Sequence, residues 1–178
     1  MIETERLILR AWREDDVARF HAMGQDAEVM RYLGPPTTDA GARAMMREAN
    51  ETAHSFGRCF WAVERRTDRA FIGFCGVEPG PTGSPIAGAP EIGWRLARAA
   101  WGQGLASEAA RAVLAAEWAR GTDAVFAVTT VANRRSRAVM ERLGMTRVEE
   151  GDFDHPDLAP DSPLRRHILY RIDRPLNG

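Results

Sequence analysis

The chain has 178 residues, 44% of them hydrophobic and 28% charged, with a formal net charge of −1. That length suits one domain over 1–178 with a real core, and the near-neutral balance argues against nucleic acid as a partner, which calls for a basic surface. The opening MIETERLILR is charged from Glu3 and no stretch approaches ~18 apolar residues, so neither a signal peptide nor a membrane span is expected, and the protein reads as soluble and cytoplasmic.

RLILRAW (6–12) alternates and is rich in branched side chains, so it reads as a strand. EDDVARFHAMGQ follows as a helix, with Glu14 to Asp16 placed to favour its dipole. Pro35-Pro36 breaks the chain. DAGARAMMREANETAHSF (39–56) is a second helix, with Asp39 as its expected N-cap.

CFWAVERR and AFIGFCGVE read as the two strands of a hairpin turning near Thr67. That fold would set the two cysteines, Cys59 and Cys75, roughly opposite each other, and they are expected to stay buried free thiols in a reduced compartment. The four histidines, 21, 54, 155 and 167, show no metal-ligand spacing with each other or with the cysteines, so no metal is expected. PGPTGSPIAGAP (79–90) is a loop, since its prolines and glycines allow little else.

EIGWRL (91–96) is a strand. LASEAARAVLAAEWAR (105–120) is a helix with Leu105, Ala109, Ala112, Val113 and Ala116 on one stripe. AVFAVTTV (124–131) reads as a buried strand, and a helix from Arg134 to Leu143 ends at Gly144. TRVEEG opens another strand, DFDHPDLAPDSP is a loop, and LRRHILYRID (164–173) is the last strand. Hairpins mixed with crossover helices predict one α/β sheet of about seven strands. It would be mostly antiparallel with a parallel part, and carry four helices on its faces.

Between the strand at 91–96 and the helix at 105 stands AAWGQG. A strand, a short glycine loop and a helix N-terminus can bind an anion. The first-turn N–H groups have no helical partner, the dipole adds positive charge, and glycines let a phosphate approach the backbone. A tight turn that needs positive φ explains the same glycines. A GxxxxGK[ST] loop is absent. A dinucleotide fingerprint fails at its third glycine, which is Ser107, and Asp123 precedes the next strand where the fingerprint wants an acid after it.

EIGWRLARAAWGQGLASEAARAVL followed by TTVANRRSRAVMERLGM resembles the GNAT-type acyl-CoA N-acyltransferases. With ETERLILRAWREDD at the start and RRHILYRI at the end, the chain is most similar to the bacterial acetyltransferases that act on ribosomal-protein N-terminal amines. The resemblance implies that Gly102, Gln103, Gly104, Leu105 and Ala106 hold the pyrophosphate of coenzyme A, with Trp101 as a neighbour. It implies that the strands 91–96 and 124–131 splay, with pantetheine along Trp94, Arg95 and Leu96. Asn133 matches the position that bonds the pantetheine arm, and Ser136 the position near the coenzyme thiol. Two positions depart from the pattern: Ala99 replaces a basic or amide residue, and Met140 stands where many members carry a tyrosine acid.

Amine acetylation needs a base for the ammonium, a donor for the carbonyl oxygen and a proton for the leaving thiolate. Glu91, on the strand face shared with Gly93 and Arg95, is the expected base, and Ser136 the expected acid or thiol partner. A backbone N–H near Trp94 or Arg95 is the expected oxyanion donor. EEGDFDHPDLAPDSP carries six carboxylates and no Lys or Arg, so Asp154 and His155 are expected to meet the acceptor and to favour cationic amines. The function expected is acetyl transfer from acetyl-CoA to a primary amine, on a protein N-terminus or a small molecule. A non-catalytic acyl-CoA sensor and a nucleotide-binding oxidoreductase are the alternatives.

Overall fold

The computed structural model describes residues 1–175, so 176–178, the end of the expected domain, lie outside the described residues. The elements run β1 (Ile2–Glu3), β2 (Leu7–Arg10), α1 (Glu14–Met23), α2 (Ala27–Met30), α3 (Asp39–Phe56), β3 (Phe60–Arg65), β4 (Phe71–Pro79) and β5 (Pro90–Leu96). They continue with α4 (Leu105–Ala119), β6 (Ala124–Thr130), α5 (Arg134–Arg142), β7 (Thr146–Arg147), β8 (Phe153–Asp154) and β9 (Arg166–Asp173). The strands form one sheet in the order β1-β2-β3-β4-β5-β6-β9-β7, with β8 also on β9. Every pairing is antiparallel except β5 with β6.

The expected architecture stands, with nine described strands where about seven were counted and a fifth α-helix. β1, β7 and β8 have two residues each and α2 has four, too few to show a period. Three local expectations are corrected. The strand expected over 6–12 ends at Arg10, because Trp12 turns out of the sheet to bury its ring and give Nε1–H to the Phe60 carbonyl at 2.6 Å. The N-cap of α3 is Thr38, whose Oγ1 accepts from Gly41 N at 3.0 Å; Asp39 is already helical and holds Arg43 at 2.9 Å. A register shift at Val63/Glu64 sets Trp61 opposite Cys75, so Cys59 and Cys75 are not cross-strand partners.

Strand alternation sends side chains to two cores. One lies between the sheet and α4, where Ile72, Val77, Ile92, Leu96, Val125 and Ala127 meet Leu105, Ala109 and Val113. The other lies under α1 and α3, built on Trp12, Phe20, Met23, Ala49, Phe71 and Phe74. Each large apolar side chain taken from water here contributes about 1.5–3 kcal/mol.

The parallel pair positions the site. β4 and β5 stay in register from Gly73↔Leu96 to Pro79↔Pro90, and β6 and β9 from Ala124↔Asp173 to Thr130↔His167. β5 and β6 share a single pair, Glu91↔Phe126. Beyond Glu91 the two strands diverge, and the β5 edge from Ile92 to Leu96 faces a wedge with no ladder across it. The wide end of the wedge is the end from which the chain runs into α4.

Candidate active site

Gly102 and Gly104 have φ of +74° and +75°, a left-handed conformation that side chains resist. Gly104 is the N-cap of α4 and offers no side-chain acceptor, so the N–H groups of the first turn are left uncapped. A Cβ at Gly102 would meet nothing within 4 Å, so the loop's outer surface is open. Arg6 Nη1 bonds the Gln103 carbonyl at 2.9 Å, and Gln103 Nε2 bonds the Ala99 carbonyl at 2.8 Å. The two explanations of the glycines therefore join: the turn requires positive φ and leaves an exposed, positively polarised helix end.

An open groove of about 410 Å³ runs beside this helix end, lined by Arg6, Gly104, Ser107, Arg111 and Arg142 among others. Arg111 Nη2 bonds the Arg142 carbonyl at 3.0 Å and Arg142 Nε bonds Ser107 Oγ at 3.3 Å. Neither arginine has a carboxylate partner among the described residues, unlike Arg6, which holds Glu108. The sequence reading missed both. Arg111 was within reach of it, since Gly104, Ser107, Glu108 and Arg111 recur at helical spacing on one face.

On β5 the alternation is as expected. Ile92 and Leu96 enter the α4 core with Trp94 packed against it, while Glu91, Gly93 and Arg95 face the α1–α3 side. Glu91 has no hydrogen bond or ion pair among the described residues, and its register partner on β4 is Glu78. Burial first, then the like charge of Glu78, push the Glu91 carboxyl up to about 7. Burial raises Glu78 as well, although Phe60 N donates to it at 3.4 Å. Sequence alone did not reveal Glu78, because its pairing depends on the β4–β5 register.

The Arg95 side chain, expected along the coenzyme, is turned by the same alternation to the face away from α4. Its guanidinium lies 5.5 Å from the Phe20 ring centre and 5.4 Å from that of Phe74. Its one hydrogen bond, Nη1 to Thr37 Oγ1, is long at 3.5 Å, and its buried Nε has none. Between Glu91 and Arg95 the strand is covered by an aromatic ring: a Cβ on Gly93 would stand 3.0 Å from the Phe60 ring.

On the far wall, Asn133 caps α5 by accepting from Ser136 N at 3.2 Å. That uses Oδ1 and leaves Nδ2 with no bond among the described residues. Ser136 is half-buried in the first turn, and its hydroxyl makes no hydrogen bond among the described residues. Met140 is fully buried core and carries no chemistry. Trp101 bonds the Leu96 carbonyl through Nε1 at 2.8 Å, and Arg135 stacks on its ring at 4.3 Å. The cation that opposes the α5 dipole is thus placed on an aromatic face and beside Glu28 at 3.9 Å.

Asp154 and His155 stand at the β8 end of the sheet, where β8 pairs β9 beside the end of β6. Asp154 is within 3.5 Å of both Arg165 and Arg166, and Asp152 pairs with Arg147, so arginines outside the segment hold two of its carboxylates. His155 packs 4.9 Å from His167, and burial lowers the pKa of both. Cys59 and Cys75 are buried free thiols; burial pushes Cys59 up to about 12 and Cys75 higher still. Among the described residues no three His, Cys, Asp or Glu converge as metal ligands, and no helix is long and apolar enough to cross a membrane.

A parallel pair splayed within an antiparallel sheet, an uncapped helix end at its wide mouth and an isolated carboxylate at its apex define an acyltransferase architecture. The chain belongs to the GNAT acetyltransferase family: the model of the acetyltransferase (GNAT) domain matches residues 6–146. It is 30% identical over 144 residues to the YkkB protein of Bacillus subtilis (strain 168), covering 80% of this chain and 83% of that one. It is 26% identical over 152 residues to the N-acetyltransferase YoaA of the same organism, covering 81% of each. Among solved structures, an acetyltransferase from Agrobacterium tumefaciens str. C58 superposes with a TM-score of 0.76 at 26% identity, over 96% of this chain and 92% of that one. A RimL ribosomal L7/L12 α-N-protein acetyltransferase in complex with coenzyme A shares the fold, with a TM-score of 0.75 at 17% identity over 96% and 95% of the chains.

Proposed function

We propose that the protein transfers an acetyl group from acetyl-CoA directly to a primary amine, on a peptide N-terminus or a small molecule. The observation that carries this is Glu91, a carboxylate without a cation partner, set at the apex of the splay and raised to about 7. The residues fit the donor. Uncapped amides at Leu105 and Ala106 and the open Gly102-Gln103-Gly104 turn suit a pyrophosphate, with Arg111 and Arg142 beside them. Asn133 Nδ2 and the unpaired edge along Trp94 to Leu96 suit an amide-bearing arm. When bound, acetyl-CoA supplies the thioester carbonyl.

Glu91 then takes the proton from the incoming ammonium, which its pKa near neutrality allows. An N–H of the unpaired edge near Trp94 or Arg95 donates to the carbonyl oxygen as charge builds there. Ser136, with no protein acceptor for its hydroxyl, offers a proton to the departing sulfur. Asp154 and His155 would form the outer rim of the acceptor entrance. Glu78 is a positioning residue that raises Glu91 without touching the amine.

A thermal-shift series with acetyl-CoA, CoA, NADH and ATP tests the donor. A ligand at 100 times its Kd stabilises by ~2.7 kcal/mol, roughly 5–10 °C at this size. A shift with acetyl-CoA and CoA alone is expected; a shift with NADH or ATP alone overturns the reading. Glu91→Gln separates a catalyst from a sensor, since a sensor loses nothing.

A further inference from the structure

Arg95 is an anomaly that acetyl transfer to a simple amine does not explain. Burial holds its pKa down to about 10, so the fold bears the cost of desolvating a charge. The other buried arginine, Arg10, is paired with Asp16 and Glu64, and buried Glu117 with Arg58. Arg95 has no carboxylate among the described residues. Two aromatic rings and a distant threonine hydroxyl hold it, and its Nε bonds nothing. Aromatic faces steady a guanidinium without satisfying its donors.

Its position gives the vacant donors a meaning. Glu91, Gly93 and Arg95 lie in a row on one face of β5. At ~3.3 Å per residue, Glu91 and Arg95 are about 13 Å apart along the strand, too far to pair with each other. Thr37, the residue that reaches Arg95, is held by the Gly24 carbonyl at 3.2 Å and by Gln25 at 2.6 Å, so the segment before α3 is fixed beside Arg95. The phosphate loop lies on the opposite face of β5, with α4.

We infer that Arg95 binds an anionic group of the acceptor, so that the preferred substrate is an amine carrying a carboxylate on the order of 10 Å from the reacting nitrogen, as in a peptide with an acidic residue one or two places beyond its N-terminus. This deepens the proposed function and rests on it. It also reverses the preference for cationic amines expected from the 149–161 segment, where Asp152 and Asp154 are already held by arginines.

The experiment compares the wild type with Arg95→Met and Arg95→Lys. Melting is followed without ligand, with CoA, and with glutarate or its uncharged analogue glutaramide at saturating CoA. Initial rates are then measured on Ala-Gly-Glu-amide and Ala-Gly-Gln-amide. Arg95→Met is expected to melt about 3 °C or more above wild type, because a desolvated charge is gone. Glutarate should raise the melting point of wild type and not of Arg95→Met, and glutaramide should raise neither. The kcat/KM ratio for the acidic over the neutral peptide should be about tenfold or more in wild type. It should collapse towards one in Arg95→Met and partly recover in Arg95→Lys.

Three results overturn the inference: equal responses to glutarate in wild type and Arg95→Met, a lower melting point for Arg95→Met, or a tenfold loss of CoA affinity. The first means no anion binds there, the second that Arg95 is a structural strut, and the third that its anion is a coenzyme phosphate. Failure of CoA to shift the wild type strikes the proposed function itself and is read separately from the glutarate arm.

Discussion

Glu91 and Arg95 stand on one face of one strand, and burial moves their pKa values in opposite directions, up to about 7 and down to about 10. In each case the neutral form is favoured, and in each case a partner from solution would reverse the cost. For Glu91 this sets a pH profile. The base works when deprotonated, so kcat/KM should rise with pH and reach half its plateau near 7. Glu78→Gln removes the like charge across the ladder, so the profile should move to lower pH while CoA affinity holds. An unmoved midpoint denies Glu78 its positioning role. Glu91→Gln should lower kcat by ~10²–10⁴-fold and leave CoA affinity intact.

Stability follows the same shift. The folded protein keeps the Glu91 proton to about pH 7, while its unshifted value is 4.5. Its contribution therefore favours the fold below about 4.5 and is lost as pH rises to 7. Glu91→Gln should melt above wild type at pH 8 and level with it at pH 4. Melting scans at the two values check the sign.

At the scale of elements, the helix ends decide most. Gly104→Ala places a side chain in the left-handed region at the mouth of α4, at a cost of about 1–2 kcal/mol. Isothermal titration with CoA should show weaker binding beyond what that loss of stability explains, because the α4 amides move. Asn133→Ala removes the α5 cap, about 1 kcal/mol, and should raise the KM for acetyl-CoA through Nδ2. A variant that loses stability with KM unchanged makes Asn133 a cap only.

The long elements were legible: β5 alternates, α3 and α4 carry a period of 3.6, and β4 and β9 are apolar runs of strand length. β1, β8 and α2 were not, since two to four residues have no period and form through neighbours, and β7 was placed at Thr146 but is only two residues long. Thr38 and Asp39 are both good caps, and only the turn geometry chooses Thr38. The same division runs through the site. Glu91 and the Gly102–Ala106 loop could be located along the chain, from alternation and from the likeness to GNAT enzymes. Glu78, Arg111 and Arg142, and the pocket of rings around Arg95, arise from register and packing between distant segments. The balance of Asp154 by Arg165 and Arg166 escaped notice because the arginines fall just past the acidic stretch.

At the scale of the whole molecule, two features hold the sheet. Glu64 is fully buried and meets Arg10 at 2.7 Å, Arg13 at 3.2 Å and Arg69 at 2.6 Å, while Arg10 also clasps Asp16 at 2.7 Å. This network ties β2 and β3 to the start of α1. Glu64→Gln leaves buried Arg10 with Asp16 as its one remaining carboxylate and should cost about 2–3 kcal/mol, a fall in Tm of roughly 5–10 °C. A fall of a degree or two would mean that water compensates the arginines.

The second feature is the wedge between β5 and β6. Its walls are peptide groups, and a slot made of main chain is indifferent to the side chains around it so long as the strands remain strands. A frame of this kind tolerates drift: a relative that keeps 26% of the residues still superposes over nearly the whole chain. In the proposed function, the acceptor's side of the site is spelled in side chains, at Glu91, Gly93 and Arg95. A lineage built on this plan can change what it modifies through single substitutions at those positions while inheriting its grip on the donor unaltered.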